Sequence, residues 1–393
     1  MQFPSRNITG LPEPDKASRD HSRKVAARIR DEIAAAGGSL PFSRFMELAL
    51  YAPGLGYYVA GQQRFGSSGD FITAPELGAL FGQCLASQIG QVLSQISSAG
   101  DILEFGAGSG RLAATLLEEL ELLDRLPTRY FIVEPSPDLS ARQRETLNER
   151  VPHLVDRIEW IAELADQSFS GVIVANEVLD AMPVDLFEAD ADNSVQEYCV
   201  ANSNDDFAWT ARPAAEALTE KVAGLDLDSG YVSESNAAIP GWIAMLSGWL
   251  QEGVILLIDY GFPRREYYHP DRRNGTLMCH YRHHSHGDPL RLAGIQDITA
   301  HVDFTAVAEA ADDAGLDVLG FTSQAGFLIG NGLPQRMAEL VSEDAATQAR
   351  LNHEIQMLTS PAEMGELFKV MALGRDYNEG LDGFVFRDMR GRL

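Results

Sequence analysis

Cysteine is scarce. Three residues, Cys84, Cys199 and Cys279, are scattered over 393 positions. An odd, dispersed set provides no disulfide framework and fits a reducing compartment. Long apolar runs are missing as well: the longest, residues 254–258, is strand-sized, far below the ~20 residues that cross a bilayer. The first residues carry no apolar leader core. The expectation is a soluble, cytoplasmic protein without membrane insertion. Positive charge is in deficit, with 31 Lys and Arg against 57 Asp and Glu and a formal net charge of −26. Such a surface repels phosphate backbones, so nucleic acid is not expected as a partner, whereas a cationic acceptor suits it. Internal repeats and low-complexity tracts are also absent.

The most informative stretch is Glu104-Phe105-Gly106-Ala107-Gly108-Ser109-Gly110. Residues 102–105 read as a short apolar strand that runs into three alternate glycines. A helix pattern follows, with Leu112, Leu116, Leu120 and Leu123 on one face. Strand, glycine turn and helix let backbone N–H groups approach a nucleotide-like ligand where a Cβ would collide. Residues 130–134 read as a second strand ending in Glu134, placed to grip a ribose diol. The pattern alone fits a dinucleotide or S-adenosyl-L-methionine (SAM). The dinucleotide fingerprint wants Gly or Ala at its sixth position, which is Arg111 here. Together with Glu104, two residues before the first glycine, this favours SAM over a nicotinamide-dependent dehydrogenase.

Alternating strand and helix patterns from residue 101 onward predict an α/β fold with a parallel, Rossmann-like, seven-stranded sheet. Strands are expected near 102–105, 130–134, 157–161, 172–176 and 254–259, with 316–321 and 325–330 completing the sheet. Residues 1–100 read as a mostly helical cap, 101–333 as the cofactor-binding domain and 334–393 as a helical extension. An insertion at about 184–252 carries hairpin strands near 184–188 and 195–200.

The fourth strand ends in Asn176-Glu177-Val178-Leu179-Asp180. In a doubly wound sheet that end lies at the switch point, where chemistry takes place. Glu177 and Asp180 are the candidate catalytic carboxylates; on a helix, their spacing would put them on one face. A plain helix cap is the competing explanation. Asp259, at the fifth strand end, and His301 complete the catalytic candidates. The run Cys279-His280-Tyr281-Arg282-His283-His284-Ser285-His286 matches no compact zinc spacing, so no metal is expected.

Six motifs give the chain a family resemblance. They are Tyr51-Ala52-Pro53-Gly54-Leu55-Gly56-Tyr57-Tyr58, Gly69-Asp70-Phe71-Ile72-Thr73-Ala74-Pro75-Glu76 and the glycine loop. The others are Ala175-Asn176-Glu177-Val178-Leu179-Asp180-Ala181-Met182-Pro183, Ile258-Asp259-Tyr260-Gly261 and Asp297-Ile298-Thr299-Ala300-His301-Val302-Asp303-Phe304. Over roughly residues 40–375 the sequence resembles the MidA-type methyltransferases. That resemblance implies a class I SAM methyltransferase fold. For the mitochondrial member it implies symmetric dimethylation of an arginine in a subunit of respiratory complex I. Cofactor contacts are then expected from Glu104, Gly106, Ala107, Gly108, Gly110, Glu134 and Asn176, with Thr73 from the second motif. The expected partner is a protein substrate with an accessible arginine, and a homodimer is compatible with the sequence. A SAM-binding assembly scaffold without turnover is the alternative outside enzymes.

Overall fold

The structure, a computed structural model, describes residues 10–60, 73–162, 164, 168–190, 194–204, 206–340 and 344–393. The chain forms two compact units, each assembled from three separate stretches.

The larger unit comprises Ile72–Leu179, Ile239–Arg264 and Val302–Leu393. Its sheet contains β1 (Asp101–Phe105), β2 (Tyr130–Val133), β3 (Ile158–Ile161), β4 (Phe169–Asn176), β5 (Leu250–Phe262), β6 (Asp317–Ser323) and β7 (Phe368–Arg375). Their spatial order is β3-β2-β1-β4-β5-β7-β6. Strands β1 to β5 pair in parallel. Strand β7 runs antiparallel to both of its neighbours, β5 and β6. The crossovers carry α1 (Arg111–Leu122) between β1 and β2, and α2 (Pro137–Arg150) between β2 and β3. Order reverses between β1 and β4, which opens a crevice at their carboxyl ends.

Burial explains the assignments. Val172, Ile173, Val174 and Ala175 of β4 are wholly inaccessible, as a strand covered on both faces requires. On α1, Leu112, Leu116 and Leu120 enter the core, each contributing about 1.5–3 kcal/mol. Leu123 falls beyond the helix and stays 40% exposed.

Two expectations fail at the C-terminal end. Residues 325–330 lie in a helix, Gln324–Gly330, whose start is capped when Ser323 Oγ accepts from the Gly326 N–H. The missing strand is β7, inside the stretch 334–393 expected to be a helical extension. That stretch does hold the helices Leu333–Glu339 and Ala345–Thr359.

The smaller unit comprises Met1–Phe71, Asp180–Ala238 and Arg265–His301. Helix Lys16–Ala35 buries Val25, Ile29 and Ile33 and stops before Gly37 and Gly38, both at positive φ. The predicted hairpin forms, with Asp185–Ala189 antiparallel to Val195–Ser203. Strand Ser39–Pro41 joins the same sheet. The N-terminal residues and the insertion up to Ala238 therefore share one core, while the rest of the expected insertion, from Ile239 on, belongs to the larger unit. Helix Leu80–Gln95, expected in the cap, belongs to the larger unit. The His-rich run forms Met278–Tyr281 and His284–His286, a hairpin. Among the described residues no group of three or more His, Cys, Asp or Glu side chains could hold a metal. No helix among them is long and apolar enough to cross a membrane.

Candidate active site

The loop after β1 takes its shape from its glycines. Gly106, Gly108 and Gly110 have φ of +66°, +53° and +82°, values that side chains with a Cβ adopt only under strain. Their surroundings separate three jobs. A Cβ on Gly106 would lie 3.0 Å from Val178 Cγ2, and one on Gly110 would lie 3.1 Å from Gln143 Cα. Those two glycines admit the β4 turn and helix α2. A Cβ on Gly108 would enter open space, its nearest neighbour being Gly106 O at 4.0 Å. Gly108 is thus where a ligand can reach the backbone. Ala107 is buried, and its carbonyl accepts from the Gly110 N–H at 2.8 Å. Arg111 opens α1 with its Nε 3.6 Å from Glu76 Oε2, and Ser109 Oγ donates to the other oxygen of Glu76. Glu76, which sequence reasoning quoted only within a motif, therefore braces the loop from behind.

Glu134 follows β2. Its Oε1 accepts from the Ser136 N–H at 2.9 Å and its Oε2 from Gln143 Nε2 at 2.9 Å. Burial holds its carboxyl above the ordinary range, and the two donors pull the other way. Each oxygen keeps a lone pair, so the carboxylate can still receive two hydroxyls. Glu104 is buried in β1, accepts from Tyr130 Oη at 2.7 Å, and is pushed up to about 7 by its burial. Thr73 is half-buried at the start of helix Ala74–Leu77, and its side chain caps nothing there. Residues 69–72 of its motif lie outside the described residues.

At the end of β4, Asn176 Nδ2 donates to Glu177 Oε1 at 3.0 Å. The Oδ1 of Asn176 is buried without a hydrogen-bond partner, an acceptor kept for something else. Glu177 has φ of +53°, and no helix occurs between β4 and Asp185. Neither the helix cap nor the shared helix face holds, because the chain turns through a left-handed residue. Asp259 holds that turn. Its Oδ2 accepts from the N–H groups of Val178 (3.2 Å) and Leu179 (2.9 Å), and its Oδ1 from that of Tyr260 (2.8 Å). Asp259 is fully buried, and these three backbone donors fix its carboxylate in the turn.

Asp180 and His301 belong to the smaller unit. Asp180 is buried and its carbonyl accepts from the Ala300 N–H at 3.0 Å. Burial, with the charges of Asp297 and Asp180 adding to it, drives the phenols of Tyr51 and Tyr58 well above their usual range. His301 donates its backbone N–H to Thr276 Oγ1 at 3.0 Å. Gln143, buried in mid-helix and touching both Glu134 and the glycine loop, had no sequence signal beyond being one Gln in a polar helix.

A cradle that a Cβ would fill, a carboxylate with free lone pairs at the next strand end and an unsatisfied amide oxygen at one switch point fit a nucleoside cofactor. Comparison with known proteins agrees. A family described as S-adenosyl-L-methionine-dependent methyltransferases matches residues 84–322. A crystal structure from Burkholderia thailandensis bound to S-adenosyl-homocysteine is 46% identical. It superposes with a TM-score of 0.94, covering 98% of this chain and all of that one. The mitochondrial protein arginine methyltransferase NDUFAF7 of Danio rerio is 29% identical over 91% of this chain and 88% of its own length. Its Drosophila melanogaster homologue is 27% identical over 95% and 92%. The chain belongs to the MidA-type family of S-adenosyl-L-methionine-dependent methyltransferases.

Proposed function

We propose that the acceptor is an arginine side chain of a protein, in a subunit of a complex I-like assembly, and that Glu177 orients it. Glu134 takes the ribose hydroxyls, Gly108 admits the cofactor to the backbone, and Asn176 lends its amide oxygen. The observation that carries this reading is the Asn176–Glu177 pair, a carboxylate aimed by a buried amide at the end of β4. The names of the curated relatives support an arginine acceptor. The acidic composition of the chain also suits a cationic substrate.

When bound, the cofactor supplies an electrophilic methyl group on a sulfonium. The protein's part is positioning and charge control. A guanidinium is protonated in water and presents a planar fork of donors. Glu177 accepting from one edge would align that plane and draw positive charge toward itself, leaving another nitrogen richer in electrons for attack. One N–CH3 bond forms as the S–CH3 bond breaks, and the methylated nitrogen gives up a proton to solvent or a nearby base. Symmetric dimethylation is the expected product.

The test is methyl transfer from labelled SAM to proteins captured with the tagged chain, read by mass spectrometry for methylarginine. Glu177→Gln should bind S-adenosylhomocysteine normally and lose most single-turnover transfer. Methylation on another residue type would overturn the acceptor, and full transfer by the variant would remove Glu177 from it.

A further inference from the structure

We propose that Gln143 is a positioning residue of the cofactor site, one that aims the Glu134 carboxylate and locks it to the glycine loop. The inference rests on the ribose role of Glu134 given above. Gln143 sits in the middle of α2 with its side chain wholly buried. A buried amide is costly unless its donors and acceptor are used. Here three hydrogen bonds are made. The Nε2 donates to Glu134 Oε2 at 2.9 Å and to Gly108 O at 3.1 Å, and the Oε1 accepts from Trp160 Nε1 at 2.9 Å. The orientation of the amide is forced. Turned over, it would set oxygen against a carboxylate and a carbonyl, and NH2 against an indole N–H.

The third partner is itself anchored. Trp160 lies in β3, and the guanidinium carbon of Arg144 stands 3.8 Å from its ring centre. One amide therefore joins the ends of β2 and β3 to the loop after β1. Gly110 makes the reach feasible, since its missing Cβ leaves space for the backbone of α2 at Gln143. With Ser136 N–H on one oxygen and Gln143 on the other, both oxygens of Glu134 are pinned and their free lone pairs point in fixed directions. A ribose diol needs two hydroxyls received at once, so a carboxylate free to rotate would bind it less well. Gly108 O is tied to the same amide, so the wall that admits the cofactor and the group that grips its sugar move together.

If Gln143 acts through Glu134, its removal should matter only when Glu134 is present. The experiment is calorimetric titration of S-adenosylhomocysteine into wild type, Gln143→Met, Glu134→Ala and the double variant, with melting curves as a control. Methionine keeps the volume and removes all three bonds. Gln143→Met should weaken binding about tenfold or more in the wild-type background and less than about threefold in the Glu134→Ala background. Should methionine prevent folding, Trp160→Phe loosens the amide from its other end and should show the same dependence on Glu134 with a smaller loss. Equal losses in both backgrounds would reduce Gln143 to packing and overturn the inference. An unchanged affinity in Gln143→Met beside a loss in Glu134→Ala would overturn it too, leaving the ribose carboxylate standing. If Glu134→Ala binds within about twofold of wild type, the ribose assignment falls, and the inference with it.

Discussion

Replacing Glu104 by glutamine is expected to stabilise the protein at alkaline pH. The carboxyl is buried in β1, has the Tyr130 hydroxyl as its hydrogen-bond donor, and titrates near 7 against an ordinary 4.5. Its folded pKa is raised, so the folded state holds the proton more tightly than the unfolded chain. Below pH 4 both states are protonated and the charge costs nothing. As pH rises through 4.5 the unfolded chain ionises first, and the penalty on folding grows until the folded carboxyl also ionises near 7. Above pH 8 the full difference applies, about 3 kcal/mol at 1.36 kcal/mol per unit. Glutamine keeps the shape and the Tyr130 contact, while its NH2 group needs a new acceptor, so a net gain of about 2 kcal/mol is expected. The assay is urea unfolding of wild type and Glu104→Gln from pH 4 to pH 8.5, with the gain giving way to a loss of about 1 kcal/mol at the acid end, where only the cost of the NH2 group remains. A gain independent of pH, or a loss that grows with pH, would refute the reasoning. The same carboxyl makes cofactor binding proton-linked. If the methionine ammonium group approaches Glu104, binding should release more protons below neutral pH, where the carboxyl is protonated, than well above it. That difference can be read from calorimetry in buffers of different ionisation enthalpy, and Glu104→Gln should abolish it.

Gly108→Val should remain folded with a lowered melting temperature, since a branched residue is strained at positive φ, and should lose S-adenosylhomocysteine binding because its side chain would fill the open side of the loop; retained affinity in calorimetry would place the cofactor elsewhere. Asp259→Ala strands the N–H groups of Val178, Leu179 and Tyr260, so a loss of about 3 kcal/mol is expected, read as a drop in melting temperature of roughly 10 °C. A melting temperature within 2 °C or so of wild type would mean that the turn does not depend on that carboxylate.

The glycine loop and the first five strands were legible because their signals are local. A short apolar run, a turn that only glycine tolerates and an amphipathic helix each announce themselves over a few residues. Residues 325–330 show where locality fails. Six mostly apolar positions suit a buried strand or a helical turn equally, and they form a helix whose start the Ser323 hydroxyl caps. Strand β7 was hidden for a related reason. Phe368, Met371 and Ala372 also fall at helical spacing, while Lys369 is buried in the strand, against the habit of its residue type. In the candidate site, Glu177 was picked out by its place after a strand. Its geometry was misjudged because a non-glycine residue at φ of +53° leaves no mark in sequence. Asp259 stood out in the sequence by its place at a strand end, but its hydrogen bonds to the N–H groups of Val178 and Leu179 depend on a chain crossing some eighty residues away.

The placing of β7 bears on how the protein is made. The strand that closes the sheet between β5 and β6 is encoded last, so β5 leaves the ribosome with one edge bare. Roughly a hundred residues must follow before its partner exists, about 5–20 s at ordinary rates of synthesis. Throughout that interval the apolar residues 254–258 present open N–H and C=O groups, a template for pairing with any other nascent chain. Holding chaperones should therefore matter more to the yield of this protein than to that of an α/β domain whose final strand lies at an edge. Premature termination before residue 368 would leave a chain able to begin the sheet and unable to close it.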